Sequence, residues 1–232
     1  MLFGIDPLYW MMMAPVLLLS LFATIKVKST FSKYSKIASS SGMQASEVAM
    51  QILSRNGISN VTVTETGGFL SDHYDPIKKV VRLSPDVFRS NSIAAIGVAA
   101  HETGHAIQHA KFYTPLILRN TIVPVAQFGS SFAWIAIILG FILGFMGLVK
   151  FGILLFSGVV FFQLVTLPVE FNASSRAKEM LASYGLLSQT ELVGVRKVLS
   201  AAAMTYVAAA ASSIMTLLYF LIRAGFLGGR DD

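Results

Sequence analysis

The chain alternates between long uncharged stretches and shorter polar ones. Residues 8–25, from Leu8 to Ile25, hold eighteen positions without a charge, enough for a membrane span. Tyr9 and Trp10 suit an interfacial belt at one end. Thr121 to Leu143 gives a second uncharged run of 23 residues, and Phe151 to Val169 a third. A fourth, about Ala201 to Ile222, is rich in Ala and Ser, as expected where helices pack closely in a membrane. Lys150 falls in the short turn between the second and third runs. A cleaved signal peptide is the rival reading of the first run. It would want a positive segment ahead of it, whereas the early charge is Asp6, so a retained anchor is favoured.

Between the first two runs the pattern becomes that of a water-soluble domain. Ala45, Val48, Ala49, Ile52 and Leu53 recur at helical spacing over 43–55, and Asn56-Gly57 closes that helix. Val61-Thr62-Val63-Thr64 alternates as a strand, and Val80-Val81-Arg82-Leu83 reads as a second. Ser71 to Pro76 is a turn-like cluster. Ser84-Pro85-Asp86 opens a short helix. Two short strands would supply an edge along which an extended peptide could lie. After the third run, Phe171 to Leu181 is charged and helical in pattern, with Gly185 as its C-terminal cap. Ser188-Gln189-Thr190-Glu191 is a capping box that opens the helix leading into the fourth run.

The chemistry concentrates at His101-Glu102-Thr103-Gly104-His105. Four residues along an α-helix are about 400° of rotation and about 6 Å of rise. His101 and His105 therefore share one face and can share a metal ion. Glu102 lies about 100° round the same turn, placed to take a proton from a water on that ion. The eight residues before His101 are all Ala, Ile, Val or Gly, so the helix is buried, with Asn91 or Ser92 to cap it. Buried polar groups must be paired, which makes a metal a better explanation than a hydrogen-bonded histidine pair. His109 lies about 12 Å along the axis from His101, too far to share the ion, and is read as an outer-layer or surface histidine.

Composition sharpens this picture. The 232 residues are 54% hydrophobic, with a mean hydropathy of +0.66, above the roughly 45–50% apolar content of soluble domains. There is no cysteine, so any metal is held by His and carboxylate and no disulfide exists. The net charge of +6 has no basic stripe interleaved with aromatics, and nucleic acid is not expected as a partner. Topology explains the charge better. Eleven Lys and Arg lie between the first two runs, four between the last two (Arg176, Lys178, Arg196 and Lys197), and three on the other side (Lys150, Arg223 and Arg230). The bias predicts four spans, both termini outside and both large polar segments in the cytoplasm.

That topology returns Glu170 to the side that carries His101 and His105. A catalytic zinc takes three protein ligands and keeps one position open, and Glu170 is the best-placed third. The competing reading is a carboxylate at a membrane border, paired with Arg176 or capping a helix. His73, Tyr74 and Arg176 are candidates to stabilise an oxyanion. His73 is also a candidate ligand, or with Tyr74 part of a plain solvated turn.

His-Glu-Thr-Gly-His-Ala-Ile-Gln-His, preceded by Asp-His-Tyr-Asp-Pro and followed by Leu-Pro-Val-Glu-Phe-Asn-Ala-Ser-Ser-Arg-Ala, resembles the YugP-type bacterial membrane zinc metallopeptidases over almost the whole chain. A more distant likeness is to the HtpX and CAAX prenyl protease group. The resemblance implies a zinc endopeptidase of the bacterial plasma membrane, with Zn2+ on His101, His105 and Glu170 and with Glu102 as base. It departs from the HtpX-like group at Ser174, where that group has an Asp, and Asn172 stands where an acidic residue is expected in close relatives.

The expected fold is a mainly α membrane protein with about four transmembrane helices and a zincin-like cytoplasmic catalytic domain containing a small β-sheet. Its segments are 8–25 (first span), 26–120 (catalytic segment), 121–169 (membrane hairpin), 170–200 (cytoplasmic helical segment with the third ligand) and 201–222 (fourth span). Its partners are a polypeptide substrate, the lipid bilayer and other membrane proteins. Two other readings stand beside it. An intramembrane protease is disfavoured because the apolar run before His101 is too short to span. A non-proteolytic membrane scaffold with a structural zinc is disfavoured by Glu102, since a closed structural site needs no base.

Overall fold

In the computed structural model, which describes residues 6–68 and 71–226, every long apolar stretch is helical. Seven helices and three strands follow in order: α1 (Pro7–Tyr34), α2 (Ala45–Arg55), β1 (Thr62–Glu65), β2 (His73–Asp75), β3 (Val80–Leu83), α3 (Pro85–Phe88), α4 (Ile93–Ala110), α5 (Thr114–Ile142), α6 (Met146–Ser183) and α7 (Gln189–Arg223). Four of these helices, α1, α5, α6 and α7, are long and apolar enough to cross a membrane. The chain is thus a mainly helical protein with four candidate membrane helices and a small sheet. Arg230, counted above on the minority side, lies outside the described residues.

The helices run further than the hydropathy suggested. α1 continues through Lys26, Lys28 and Lys33 to Tyr34. α6 joins the third apolar run to the charged segment in one helix of 38 residues with Pro168 inside it. Lys150 belongs to the start of α6 rather than to the turn before it. Once a helix is nucleated, propagation adds one hydrogen bond per residue, so a change from apolar to polar side chains does not end it. Gly185, with φ of +63°, follows the end of α6 as expected for a left-handed cap.

The coordinates divide into two compact units. The first holds the described residues of Met1–Ala23, Leu118–Leu167 and Thr205–Asp232. Its outward side chains are apolar, with Leu18, Phe22, Phe128 and Leu154 all exposed, a surface suited to lipid rather than water. Inside it, Trp134, Phe156 and Phe220 meet edge to face. Asp6 is buried and accepts a 2.8 Å hydrogen bond from the Tyr219 hydroxyl and a 3.0 Å bond from the Leu8 amide. Arg223 stands 3.4 Å away as its counter-charge.

The second unit comprises Thr24–Ile117 and Pro168–Met204. Its core joins Val48 and Ile52 of α2, Val81 and Leu83 of β3, Ile96 and Ile107 of α4, Leu181 of α6 and Val195 of α7. The sheet order is β1-β3-β2, with β1 parallel and β2 antiparallel to β3. The cluster expected to be a plain turn is therefore β2 followed by a turn. His73 pairs with Arg82 and Tyr74 with Val81, and the backbone hydrogen bonds of β3 draw this polar segment into the sheet. The turn that follows forms where Asp75 accepts from the amides of Ile77 and Lys78. The first strand is shifted one residue from expectation, to Thr62–Glu65.

α4 is capped by Ser92, whose hydroxyl accepts from the Ala95 amide at 3.3 Å. It passes so close to α6 that a Cβ built on Gly104 would stand 2.8 Å from the Ala173 carbonyl oxygen. This contact sets the distance between the two helices at the level of the histidines. Gly104→Ala is expected to destabilise the protein by about 1–3 kcal/mol and to lower zinc retention. Gly158→Ala in α6, where a Cβ meets nothing within 4 Å, is expected to be neutral or stabilising by about 0.5–1 kcal/mol. Thermal unfolding and metal content of both variants in detergent check this, and a Gly104→Ala protein as stable and as zinc-loaded as wild type would contradict it.

Candidate metal centre

The histidines of α4 project from the side that faces α6. His105 is buried and His101 nearly so. Across from them Glu170, 4% exposed, comes from the first turn of α6 beyond Pro168. Its Oε2 lies 3.2 Å from His101 Nε2 and 3.5 Å from His105 Nε2. One ligand atom from each residue lies within 4.8 Å of the other two. Three donors at about 2.0–2.1 Å from a tetrahedral ion are about 3.3–3.4 Å apart, so this spacing suits an ion between them with only small adjustment.

The proton positions point the same way. Gln108, fully buried, donates from Nε2 to the Val169 carbonyl at 2.8 Å and to Asn172 Oδ1 at 3.0 Å. A carbonyl only accepts, so the Gln108 amide has one workable orientation. Its Oε1 then faces His105 Nδ1 at 3.0 Å, and Nδ1 must carry the proton. Neutral His105 is left with a bare lone pair on Nε2, aimed at a carboxylate oxygen. Two acceptors so placed in a buried site are costly unless a metal ion lies between them or the imidazole takes up a second proton. His101 is held in turn by Ser174, whose Oγ is 3.1 Å from its Nδ1. The serine in place of an Asp thus still partners a histidine. Asn172 does so at one remove, since its Oδ1 also accepts from Arg176 Nε at 2.7 Å.

Glu102 stands beside this group and outside it. It is partly buried. Burial pushes its carboxyl up to about 7, with Glu170 and Asp72 adding to the rise and His101 and His73 opposing it. A group near neutrality can both take and return a proton.

The remaining candidates divide. His73 is close enough to influence Glu102 electrostatically. Its Nδ1 donates to the Ser71 carbonyl at 2.7 Å, so it has an N–H to offer at Nε2 only as the imidazolium. It is absent from the group of possible ligands found among the described residues. Tyr74 directs its hydroxyl to His109 Nδ1 at 2.8 Å, and burial, then the charge of Asp75, raises it to about 12. Tyr74 thereby ties the edge strand β2 to the C-terminal end of α4, and His109 serves as its partner. Arg176 is engaged with Asn172. Asp72, which sequence reasoning passed over, accepts from both the amide and the hydroxyl of Ser84, fixing the start of β2. Gln108 was also missed. Its signal was a lone amide three residues after His105, on the same face of the helix.

A His-Glu-x-x-His helix meeting a distant glutamate, in a chain with four candidate membrane helices, defines a class of membrane zinc hydrolase. The profile of the family described as "Putative neutral zinc metallopeptidase" matches residues 9–225, and the chain belongs to that family. It is 53% identical over 214 residues to the "Putative membrane protease YugP" of Bacillus subtilis (strain 168), an alignment covering 92% of this chain and 94% of the relative. No solved structure matches it.

Zinc per chain in the purified protein is expected to fall sharply in Glu170→Ala. Gln108→Leu, which removes the acceptor that holds the His105 proton, is expected to weaken zinc binding about 10–100-fold. Competition with a chromophoric chelator measures both. Unchanged affinity in Gln108→Leu would mean that the His105 tautomer is set by something else.

Proposed function

We propose that the chain is a membrane-anchored zinc endopeptidase in which His101, His105 and Glu170 hold the metal and Glu102 is the general acid–base. The carrying observation is the meeting of Glu170 with two histidines of α4, 69 and 65 positions away in sequence, beside a partly buried glutamate that is not itself in the ligand group. Zinc bound there would make a water acidic enough to ionise near neutral pH and would polarise a peptide carbonyl. Glu102 takes a proton from the attacking water, whose oxygen bonds to the carbonyl carbon. It returns that proton to the amine nitrogen as the C–N bond breaks, so water is added across the bond and Glu102 is regenerated. His73, whose charge acts on Glu102, is the candidate to face a developing oxyanion. The edge strand β2, which pairs on one side only with β3, is a rail on which an extended peptide can add. Arg176 acts through Asn172 and Gln108 on His105, and Tyr74 holds β2 in place. A site within the bilayer is not favoured, because α4 is not among the four helices apolar enough to span it.

Glu102→Gln keeps the ligands and removes the base. It is expected to retain zinc and to lose about 10²–10⁴-fold in turnover, read with a quenched fluorescent casein or peptide library on the full chain in detergent. Cleavage at the wild-type rate would remove Glu102 from the mechanism. Zinc loss without any wild-type cleavage of these probes would favour the scaffold reading.

We also propose that the second unit faces the cytoplasm of a bacterial plasma membrane, on the bias of Lys and Arg towards its segments. The chain lacks cysteine, so single introduced thiols report topology cleanly. Ile77→Cys, at a position 92% exposed, is expected to react with an impermeant maleimide only in inverted vesicles, and Lys150→Cys only in right-side-out cells. The opposite pattern reverses the orientation.

A further inference from the structure

The lysines after the first apolar run are exposed, and two of them form one side of a cavity. Lys26, Ser29, Thr30 and Lys33 recur at helical spacing on one face of α1, and Lys197 and Ser200 on one face of α7. These two faces lie within the second unit and line one cavity of about 450 Å³. No carboxylate lines it, and none of the three lysines has a carboxylate partner among the described residues. Lys33 instead lies over the Tyr34 ring, 5.7 Å from its centre. Three lysines lining one hydroxyl-bearing cavity concentrate positive charge there, which an anion stabilises.

We propose that this cavity binds the phosphate headgroup of an anionic phospholipid. A phosphodiester offers the ammonium groups an acceptor that cannot be neutralised near pH 7, and a glycerol headgroup offers hydroxyls to Ser29, Thr30 and Ser200. The choice of lipid over a dissolved phosphate rests on the two helices themselves. On α1 the cationic face starts at Lys26, directly after eighteen uncharged residues, of which Leu18, Leu21, Phe22 and Ile25 are exposed. On α7 the fourth apolar run starts directly after Ser200. The cavity therefore sits where two membrane helices pass into the headgroup layer, where basic pockets take anionic lipids. The volume is that of a small-ligand site. This site shares no residue with the metal centre and does not depend on the peptidase reading.

Native mass spectrometry of the full chain from detergent, titrated with phosphatidylglycerol or phosphatidylcholine, tests it. Wild type is expected to retain one phosphatidylglycerol per chain in preference to phosphatidylcholine. Lys26→Gln/Lys33→Gln/Lys197→Gln is expected to lose about ten-fold or more of that binding. The charge-matched Lys78→Gln/Lys79→Gln/Lys111→Gln is expected to bind like wild type. Ser200→Trp, which fills the cavity without changing charge, is expected to reduce retention as well, with zinc content and melting temperature reporting that the fold is intact. Equal losses in the two triple variants, or full retention in Ser200→Trp, would overturn the site. Displacement of the lipid by millimolar inorganic phosphate would show a soluble phosphate to be the ligand and would overturn the lipid assignment.

Discussion

The candidate metal centre of the second unit answers one electrostatic demand. A glutamate and two imidazoles are brought together away from water, with acceptor atoms facing each other at 3.2 and 3.5 Å. Such a group is costly unless a cation sits among them or the histidines carry protons. The surrounding structure fixes how these groups meet. α4 can approach α6 because Gly104 has no side chain to strike Ala173. The Val169 carbonyl fixes Gln108, which fixes the proton on His105. Each of these steps is set by a shape or a hydrogen-bond valence.

The sequence made some of this legible and hid the rest for physical reasons. His101, Glu102 and His105 could be placed because a helix has a fixed angular period, so three residue types at fixed spacing define a face. Glu170 could be reached through topology, because a hairpin of two membrane runs has to return the chain to its starting side. The capping box at Ser188 and Glu191 was readable because it is local, and both of its hydrogen bonds form. What stayed hidden was non-local. β2 looked like a turn because its strand character comes from pairing with β3, which no local pattern announces. The continuity of α6 through Pro168 and Glu170 was obscured because composition changes there while the backbone does not. Ser174 and Asn172 were noticed only as departures from an acidic pattern, and their contacts with His101 and Gln108 required three dimensions.

Those departures change the chemistry of the site. A carboxylate behind a ligand histidine draws on its N–H, makes the imidazole a stronger electron donor and adds negative charge near the metal. This chain uses a serine hydroxyl behind His101 and a carboxamide behind His105, both neutral. The network beyond Gln108 ends on Asn172 and the guanidinium of Arg176, which is positive. A ligand set of His101, His105 and Glu170 would thus carry Glu170 as its one formal negative charge, with neutral or cationic groups behind the histidines. A divalent ion held there would keep more of its own charge than one backed by carboxylates, so it would polarise a bound water or carbonyl more strongly and be bound less tightly. Orientation then has to come from geometry instead of charge. That is the task of the buried amide of Gln108, which locks one tautomer through two acceptors, and of the bare Cα of Gly104, which lets the helices meet.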